Sequence, residues 1–464
     1  MSGPGQDSAA MIPGRDHSFF TGGMAALAGL MFGLDIGVIS GALSFLGHEF
    51  QATDTQKELI VSSMMAGAAI GAASAGVLSF RLGRKVSLIL GAILFVVGSL
   101  FCAAAWSVGS LVVARVVLGL AIGIASFTAP LYISEISPPE KRGSMISTYQ
   151  LMITIGILVA FISDAILAQW SAWRWMLGIV AVPGGLFLLG VLTLPNSPRW
   201  LLMRGRGHEA RAVLMALRGS KQRMEEEYRE IEEQLKRPQV GWALFQSNSN
   251  FRRSVFLGIL LQIIQQLTGI NVVMYYAPSI FGAAGFQGHA QLWGTAIVGL
   301  VNVLATFIAI GFVDRWGRRP VLLTGFVVMF VGMGVLGLLL NIGTHTLPMQ
   351  IFAVIMLLLF ITGFAMSAGP LIWVLCSEVQ PIKGRDFGVA ASTLTNWVAN
   401  FVVGFTFLSM LHGLGSGLTF GIYALFNAAF FIFTIFYVPE TKGVTLEHIE
   451  ANLMAGKPLR QIGA

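Results

Sequence analysis

One aspartate, Asp35, stands inside an apolar run near residues 18 to 45, and one arginine, Arg115, stands inside another near 110 to 133. A carboxylate at the centre of a bilayer costs about 2.5 to 3.5 kcal/mol even on the lenient insertion scale, so Asp35 needs a partner or a function. Asp35 lies past the middle of its run, and Arg115 lies near the start of one that travels the opposite way. The two therefore fall at similar depth. A neighbouring guanidinium favours the charged carboxylate and desolvation favours the neutral acid, so a pair that opens and closes can release and take up a proton. A static pair tying two helices together is the competing reading.

A second cluster is neutral. Gln262, Gln265 and Gln266 share one side of a helix, whereas Asn271 would point about 120° to 140° away if that helix were straight. Gly269 offers a break that turns Asn271 toward the same side. Single amides often glue membrane helices together. Four within ten residues suit a polyhydroxylated neutral solute, whose edges offer hydroxyl groups and whose faces offer C–H groups to flat rings. Trp373, three residues after Pro370, which should bend its helix, and Trp397, beside Asn396, supply such rings, with packing or interfacial anchoring as the alternative.

These residues need membrane helices to position them. Of 464 residues, 55% are hydrophobic and 11% charged, and the mean hydropathy is +0.76, which excludes a soluble globule. Apolar windows place crossings near 18–45, 58–80, 86–107, 110–133, 144–168 and 173–194, then near 252–283, 291–313, 320–342, 349–377, 386–411 and 418–438. The first run is kept as a crossing rather than a signal peptide, because it is too long and carries Asp35. Basic residues such as Arg81, Arg84, Lys85, Lys141, Arg142, Arg315, Arg318, Arg319, Lys383 and Arg385 fall in alternate loops, so these loops and both termini are expected in the cytoplasm. The polar stretch 199–237 repeats Ala210, Val213, Leu214 and Leu217, then Tyr228, Ile231 and Leu235, as short amphipathic helices do. Gly67-x-x-x-Gly71 and Gly119-x-x-x-Gly123 read as packing seams.

Several classes of function are set aside by the same residues. Cys102 and Cys376 lie in apolar runs, which argues against a disulfide framework or thiolate metal site. The seven histidines are scattered without metal-ligand spacing, and no phosphate-binding loop occurs, so no catalytic residue, metal or cofactor is expected and the protein is not expected to be an enzyme. The net charge of +7 sits in membrane-loop clusters, so nucleic acid is not an expected partner.

The two halves repeat each other. Arg81-Leu-Gly-Arg-Lys85 recurs as Arg315-Trp-Gly-Arg-Arg319, Glu135 with Arg142 recurs as Glu378 with Arg385, and Pro195-Asn-Ser recurs as Pro439-Glu-Thr. A duplicated six-helix unit follows, with a path between the halves. The repeated pairs, with Arg84 and Arg318 as further partners, could latch one side of the membrane shut; positive-inside topology alone is the plainer reading.

With its motifs assembled, the chain resembles the sugar porter family of the major facilitator superfamily. The residues that carry this are Pro195-Asn-Ser-Pro-Arg-Trp200, Gln265-Gln-Leu-Thr-Gly-Ile-Asn271, Asp314-Arg-Trp-Gly-Arg-Arg319, Gly369-Pro-Leu-Ile-Trp373 through Glu378, Asn396-Trp397 and Pro439-Glu-Thr-Lys-Gly443. The resemblance implies an all-α membrane protein of the major facilitator fold, divided as tail 1–17, bundle 18–195, linker 196–250, bundle 251–438 and tail 439–464. It implies proton-coupled import of a hexose such as galactose or glucose, in a bacterial inner membrane, by a monomer whose partners are sugar, proton and lipid. A passive hexose facilitator is the alternative, from which the intramembrane Asp35 distinguishes it. The resemblance assigns Asp35 and Arg115 to proton coupling. Trp373 goes to the sugar face, and Gln150, Gln265, Gln266, Asn271, Asn302 and Asn396 to its hydroxyls. Phe32 and Tyr275 close the cavity and Trp397 is a further contact. Arg84, Glu135, Arg142, Arg318, Glu378, Arg385 and Glu440 form the cytoplasmic gate. Phe80 and Asn196 stand where the family usually has acids, so the first-half network is expected to be the weaker one.

Overall fold

A computed structural model describes residues 18–138, 142–236 and 241–464, and among them every regular element is helical. The first half comprises α1 (Ser18–Glu49), α2 (Asp54–Leu82), α3 (Arg84–Ala103), α4 (Val108–Ile136), α5 (Arg142–Leu167) and a sixth crossing split into α6 (Trp173–Gly178) and α7 (Ala181–Thr193). Four short helices follow: α8 (Pro198–Met203), α9 (Gly207–Arg218), α10 (Lys221–Leu235) and α11 (Gly241–Ser247). The seventh crossing is α12 (Ser249–Leu267) plus α13 (Ile270–Ala283), then come α14 (His289–Trp316) and α15 (Arg318–Ile342). The tenth is α16 (Leu347–Ala365) plus α17 (Ala368–Glu378), followed by α18 (Arg385–Leu414), α19 (Ser416–Tyr437) and a terminal α20 (Leu446–Met454). Among the described residues twelve segments are long and apolar enough to span a bilayer, in the order expected from hydropathy.

Side-chain chemistry sets the helix ends. Thr53 and Gln56 form a reciprocal capping box at the start of α2, and Ser107 and Ser110 do the same for α4. The duplication is visible in the backbone. Gly83 and Gly317, the glycines of the two Arg-x-Gly-Arg loops, both have φ +94°, with ψ 163° and 162°. That left-handed φ is cheap only for glycine.

Within the first bundle α1 runs along α5 and α2 along α4; within the second α12 lies on α18 and α15 on α19. The α2–α4 seam is backbone against backbone. A Cβ on Gly67 or Gly71 would strike the Val116 or Leu120 carbonyl, and one on Gly119 or Gly123 would strike that of Met64 or Ala68, which is the close approach small residues permit. The bundles meet where α2 touches α18, α5 touches α14, and α1 touches α13. Helices α8, α9 and α10 share a small core of Trp200, Leu201, Ala210, Leu214, Met224, Tyr228 and Ile231, with Val213 and Leu235 packed on it, while α11 lies against α12 and α18.

The tenth crossing bends elsewhere than at Pro370 itself. Its break lies at Met366 and Ser367, where Ser367 adopts φ −133°, ψ −90°. A proline ring clashes with the carbonyl four residues earlier, here Met366, and lacks the N–H that would bond it. Pro370 therefore sits in the first turn of α17, where no N–H is needed.

Candidate functional site

Asp35 and Arg115 are fully buried and joined by a 2.5 Å contact from Arg115 Nη1 to Asp35 Oδ1, linking α1 to α4. Arg115 Nε also donates to the Ile60 carbonyl of α2 at 3.4 Å. The pair is not saturated: Asp35 Oδ2 and Arg115 Nη2 are buried without a hydrogen-bond partner. The helix that carries Asp35 packs on α13 of the opposite bundle, which carries Tyr275. Removing one partner of such a buried pair strands the other charge, at a cost of about 3 to 5 kcal/mol, so protonating Asp35 must alter what surrounds Arg115.

The seventh crossing breaks where the glycine stands. Gly269 has φ +95°, and a Cβ there would meet Tyr423 at 2.9 Å. The Thr268 carbonyl freed by the break accepts the Asn427 amide at 3.2 Å. The turn lets Asn271 Nδ2 donate to Gln266 Oε1 at 2.5 Å, which a straight helix would forbid. Beside it, Asn396 Nδ2 donates to Gln262 Oε1 at 2.6 Å and to Gln265 Oε1 at 2.8 Å, while Gln265 Nε2 donates to the Ala368 and Gly369 carbonyls, both at 3.1 Å. Gln262, Gln265 and Asn396 thus tie α12 to α17 and α18, and Gln266 with Asn271 forms a separate pair across the break.

Phe32 of α1 and Trp397 of α18 touch across the bundles, ring centroids 5.4 Å apart. The Tyr275 hydroxyl accepts from Asn400 at 3.2 Å. Trp373 on α17 is 38% exposed, whereas Trp397 is 3% exposed. Gln150 on α5 is half-buried and Asn302 on α14 is buried, and among the described residues neither hydrogen-bonds to the amide network.

At the end bearing the basic loops, Arg84 grips Glu135 with two bonds of 2.8 and 2.7 Å, and Ser197 adds a third at 2.5 Å. In the second half Arg318 Nη2 meets Glu378 at 3.3 Å and Thr441 donates to Glu378 at 2.5 Å. The first-half pair is the closer and more buried, with side chains 7% and 5% exposed against 15% and 20%. The difference holds for these two pairs alone, since the Arg142 and Asp314 side chains lie outside the described residues. Arg84 and Ser197 suffice for Glu135, and what Asn196 lacks is a different role. Its counterpart Glu440 accepts the Arg318 and Arg319 backbone N–H groups at 3.0 Å each, capping α15. Glu378 and Arg385 do not pair here, and Arg385 Nε and Nη2 are buried without partners. The Arg142 side chain lies outside the described residues.

At the far end, sequence spacing had not singled out the contacts that bridge the bundles. Glu58 of α2 accepts both the backbone N–H and the hydroxyl of Ser409 of α18 at 2.7 Å, and Asp54 meets His412 at 2.6 Å. A cavity of about 460 Å³ opens beside them, lined by Ser40, Ser44, Lys57, Tyr275 and Ser279 among others. Carboxylates near helix ends are ordinary in a sequence, which is why these gave no signal.

The family model described as "Sugar (and other) transporter" matches residues 22–453. The galactose-proton symporter of Escherichia coli K12 is 61% identical over 448 residues, covering 96% of this chain and 97% of that protein. The arabinose-proton symporter of the same strain is 53% identical, covering 97% and 96%. Among solved structures, the xylose transporter XylE from E. coli in a partially occluded inward-open conformation superposes with TM-score 0.80 at 30% identity, covering 91% of this chain and 100% of that one. The proton:xylose symporter XylE bound to 6-bromo-6-deoxy-D-glucose also gives 0.80, at 31% identity, covering 94% and 98%.

Proposed function

The chain belongs to the sugar transporter family of the major facilitator superfamily, and from that premise we propose that it imports a hexose together with a proton, with galactose the first substrate to test and glucose the next. It works as a monomer in a bacterial inner membrane, with the basic loops and both termini in the cytoplasm. Its division at residues 18–195 and 251–438, joined by 196–250, gives two bundles that rock against each other.

The observation that carries this reading is the Asp35–Arg115 pair, fully buried yet unsaturated at Asp35 Oδ2. A facilitator has no need of a carboxylate there. Protonation of Asp35 releases Arg115, and this couples to the sugar because α1 packs on α13 and its Phe32 meets Trp397 of the second bundle. Gln265, Gln266, Asn271 and Asn396 bind hydroxyl groups, Gln150 and Asn302 complete the ring from the α5–α14 side, and Trp373 meets the sugar's C–H face. The bonds from Glu58 to Ser409 and from Asp54 to His412 hold the outside shut. At the cytoplasmic end Arg84 with Glu135 and Arg318 with Glu378 each pair inside their own bundle. On this reading the bundles are bridged at the outer end. Arg385, Glu440 and Arg142 join the cytoplasmic latch in the outward-facing state.

Asp35→Asn keeps the shape and removes the titrating group. Energised proteoliposomes carrying it should bind labelled galactose but fail to accumulate it, and sugar-evoked alkalinisation of a weakly buffered medium should vanish. Wild-type accumulation by this variant, or no proton uptake with sugar by the wild type, would replace symport with facilitated diffusion.

A further inference from the structure

A second carboxylate is buried in the first bundle, apart from the coupling pair. Asp164 lies three residues before the end of α5 at Leu167 and is 1% exposed. Its Oδ2 accepts the Gly41 backbone N–H of α1 at 3.1 Å, and its Oδ1 is buried without a hydrogen-bond partner. The fit is close, since a Cβ on Gly41 would collide with the Asp164 carboxyl group.

The charged and titratable groups on the surrounding elements are engaged elsewhere. On α1, Asp35 is held by Arg115 and Glu49 by Arg174 and Trp173, while His48 is exposed. On α4, Arg115 is in that pair, Glu135 is held by Arg84, and the Tyr132 hydroxyl donates to the Pro195 carbonyl. On α6, Arg174 serves Glu49. On α14, His289 is exposed, Arg315 stands at the other end of the helix, and the Asp314 side chain is outside the described residues. On α5 itself, Tyr149 is buried some four turns away and the Arg142 side chain is outside the described residues. An ionised Asp164 would be a buried charge with one N–H for company, whereas the neutral acid requires no counter-ion.

Its place along the path gives this group a use. Gly41 is six residues beyond Asp35 on α1, about 9 Å nearer the outside. Its neighbour Ser40 lines the outer cavity and has a buried hydroxyl without a partner. We propose that Asp164 is a second proton-binding site, lying between the outer cavity and Asp35, that loads the coupling pair from outside. A proton carried by water in the cavity forms the Oδ1–H bond of Asp164. When the Asp35–Arg115 pair opens, water entering between the two carboxyls carries the proton across: the Oδ1–H bond of Asp164 breaks, an Oδ2–H bond forms on Asp35, and Asp164 is left as the carboxylate until the cavity reloads it.

Infrared titration of the protein in lipid, in the Asp35→Asn background so that Asp35 contributes no band, tests the resting state. A carboxylic-acid C=O band should be present at neutral pH, lost in Asp164→Asn and moved in Asp164→Glu. Its absence before Asp164 is changed, or its persistence unmoved in both variants, overturns the proposal. With Asp35 intact, Asp164→Asn should raise the external proton concentration for half-maximal energised uptake about tenfold, one pH unit. An unmoved pH profile makes Asp164 a packing group only. The transport arm rests on the symport reading and the infrared arm does not, so a failure of one is distinguishable from a failure of the other.

Discussion

Gln266 accepts one hydrogen bond, from Asn271, and as an amide it has two N–H groups left to give. If these bind a sugar hydroxyl, truncating the side chain leaves that hydroxyl unpaired, at a cost of about 1 to 3 kcal/mol, or roughly five- to 150-fold in affinity. Gln266→Ala should therefore weaken galactose binding by that factor in titrations of purified protein, and unaltered affinity would remove Gln266 from the site. At this scale the legible residues are those that contrast with their surroundings. Asp35 and Arg115 stand out because a charge in an apolar run demands an explanation, and they pair as their depths require. Asp164 and Glu58 gave no such contrast, because carboxylates close to the ends of crossings read as ordinary interfacial charges. Only the packing of α5 on α1 and of α2 on α18 shows that both are buried.

Elements answer to different signals. The break at Gly269 follows from one residue that tolerates a left-handed backbone, and it was readable for that reason. The bend of the tenth crossing was readable in kind but displaced in position, because proline acts on the turn before it. Glu378 and Arg385 form no ion pair here. α17 ends at Glu378 and α18 begins at Arg385, so the two stand on neighbouring helices with a loop between them. Arg385 Nε and Nη2, buried without a hydrogen-bond partner, are the groups that the latch proposed above would engage in the outward-facing state. Since charge-assisted bonds contribute about 1.5 to 3 kcal/mol, Arg385→Ala should move the population inward about ten- to 100-fold. Glu58→Gln weakens the outer contacts to Ser409 and should move it the other way. Cysteine labelling from each side of the membrane reads both, and shifts of the same sign would contradict latches at opposite ends.

For the molecule as a whole, alternation between two closures limits what the gradient can do. An inward-facing form that bridges its bundles at the outer end releases sugar and proton to the same side, so each cycle spends one driving ion for each proton site that empties. One proton crossing about 100 mV releases about 2.3 kcal/mol, and a gradient of one pH unit adds about 1.4 kcal/mol. With Asp35 as the single site whose charge is coupled to sugar, one-to-one transport allows roughly 500-fold accumulation under those conditions. The relay assigned to Asp164 does not change this limit, because a proton handed from Asp164 to Asp35 is counted once. Two protons delivered per sugar would square the ratio, to roughly 250,000-fold. Accumulation of labelled galactose in proteoliposomes should therefore level off near the lower figure, and it should change tenfold for each imposed pH unit. A hundredfold change per pH unit would mean that Asp164 empties inward with Asp35 as a second coupled site rather than passing its proton along.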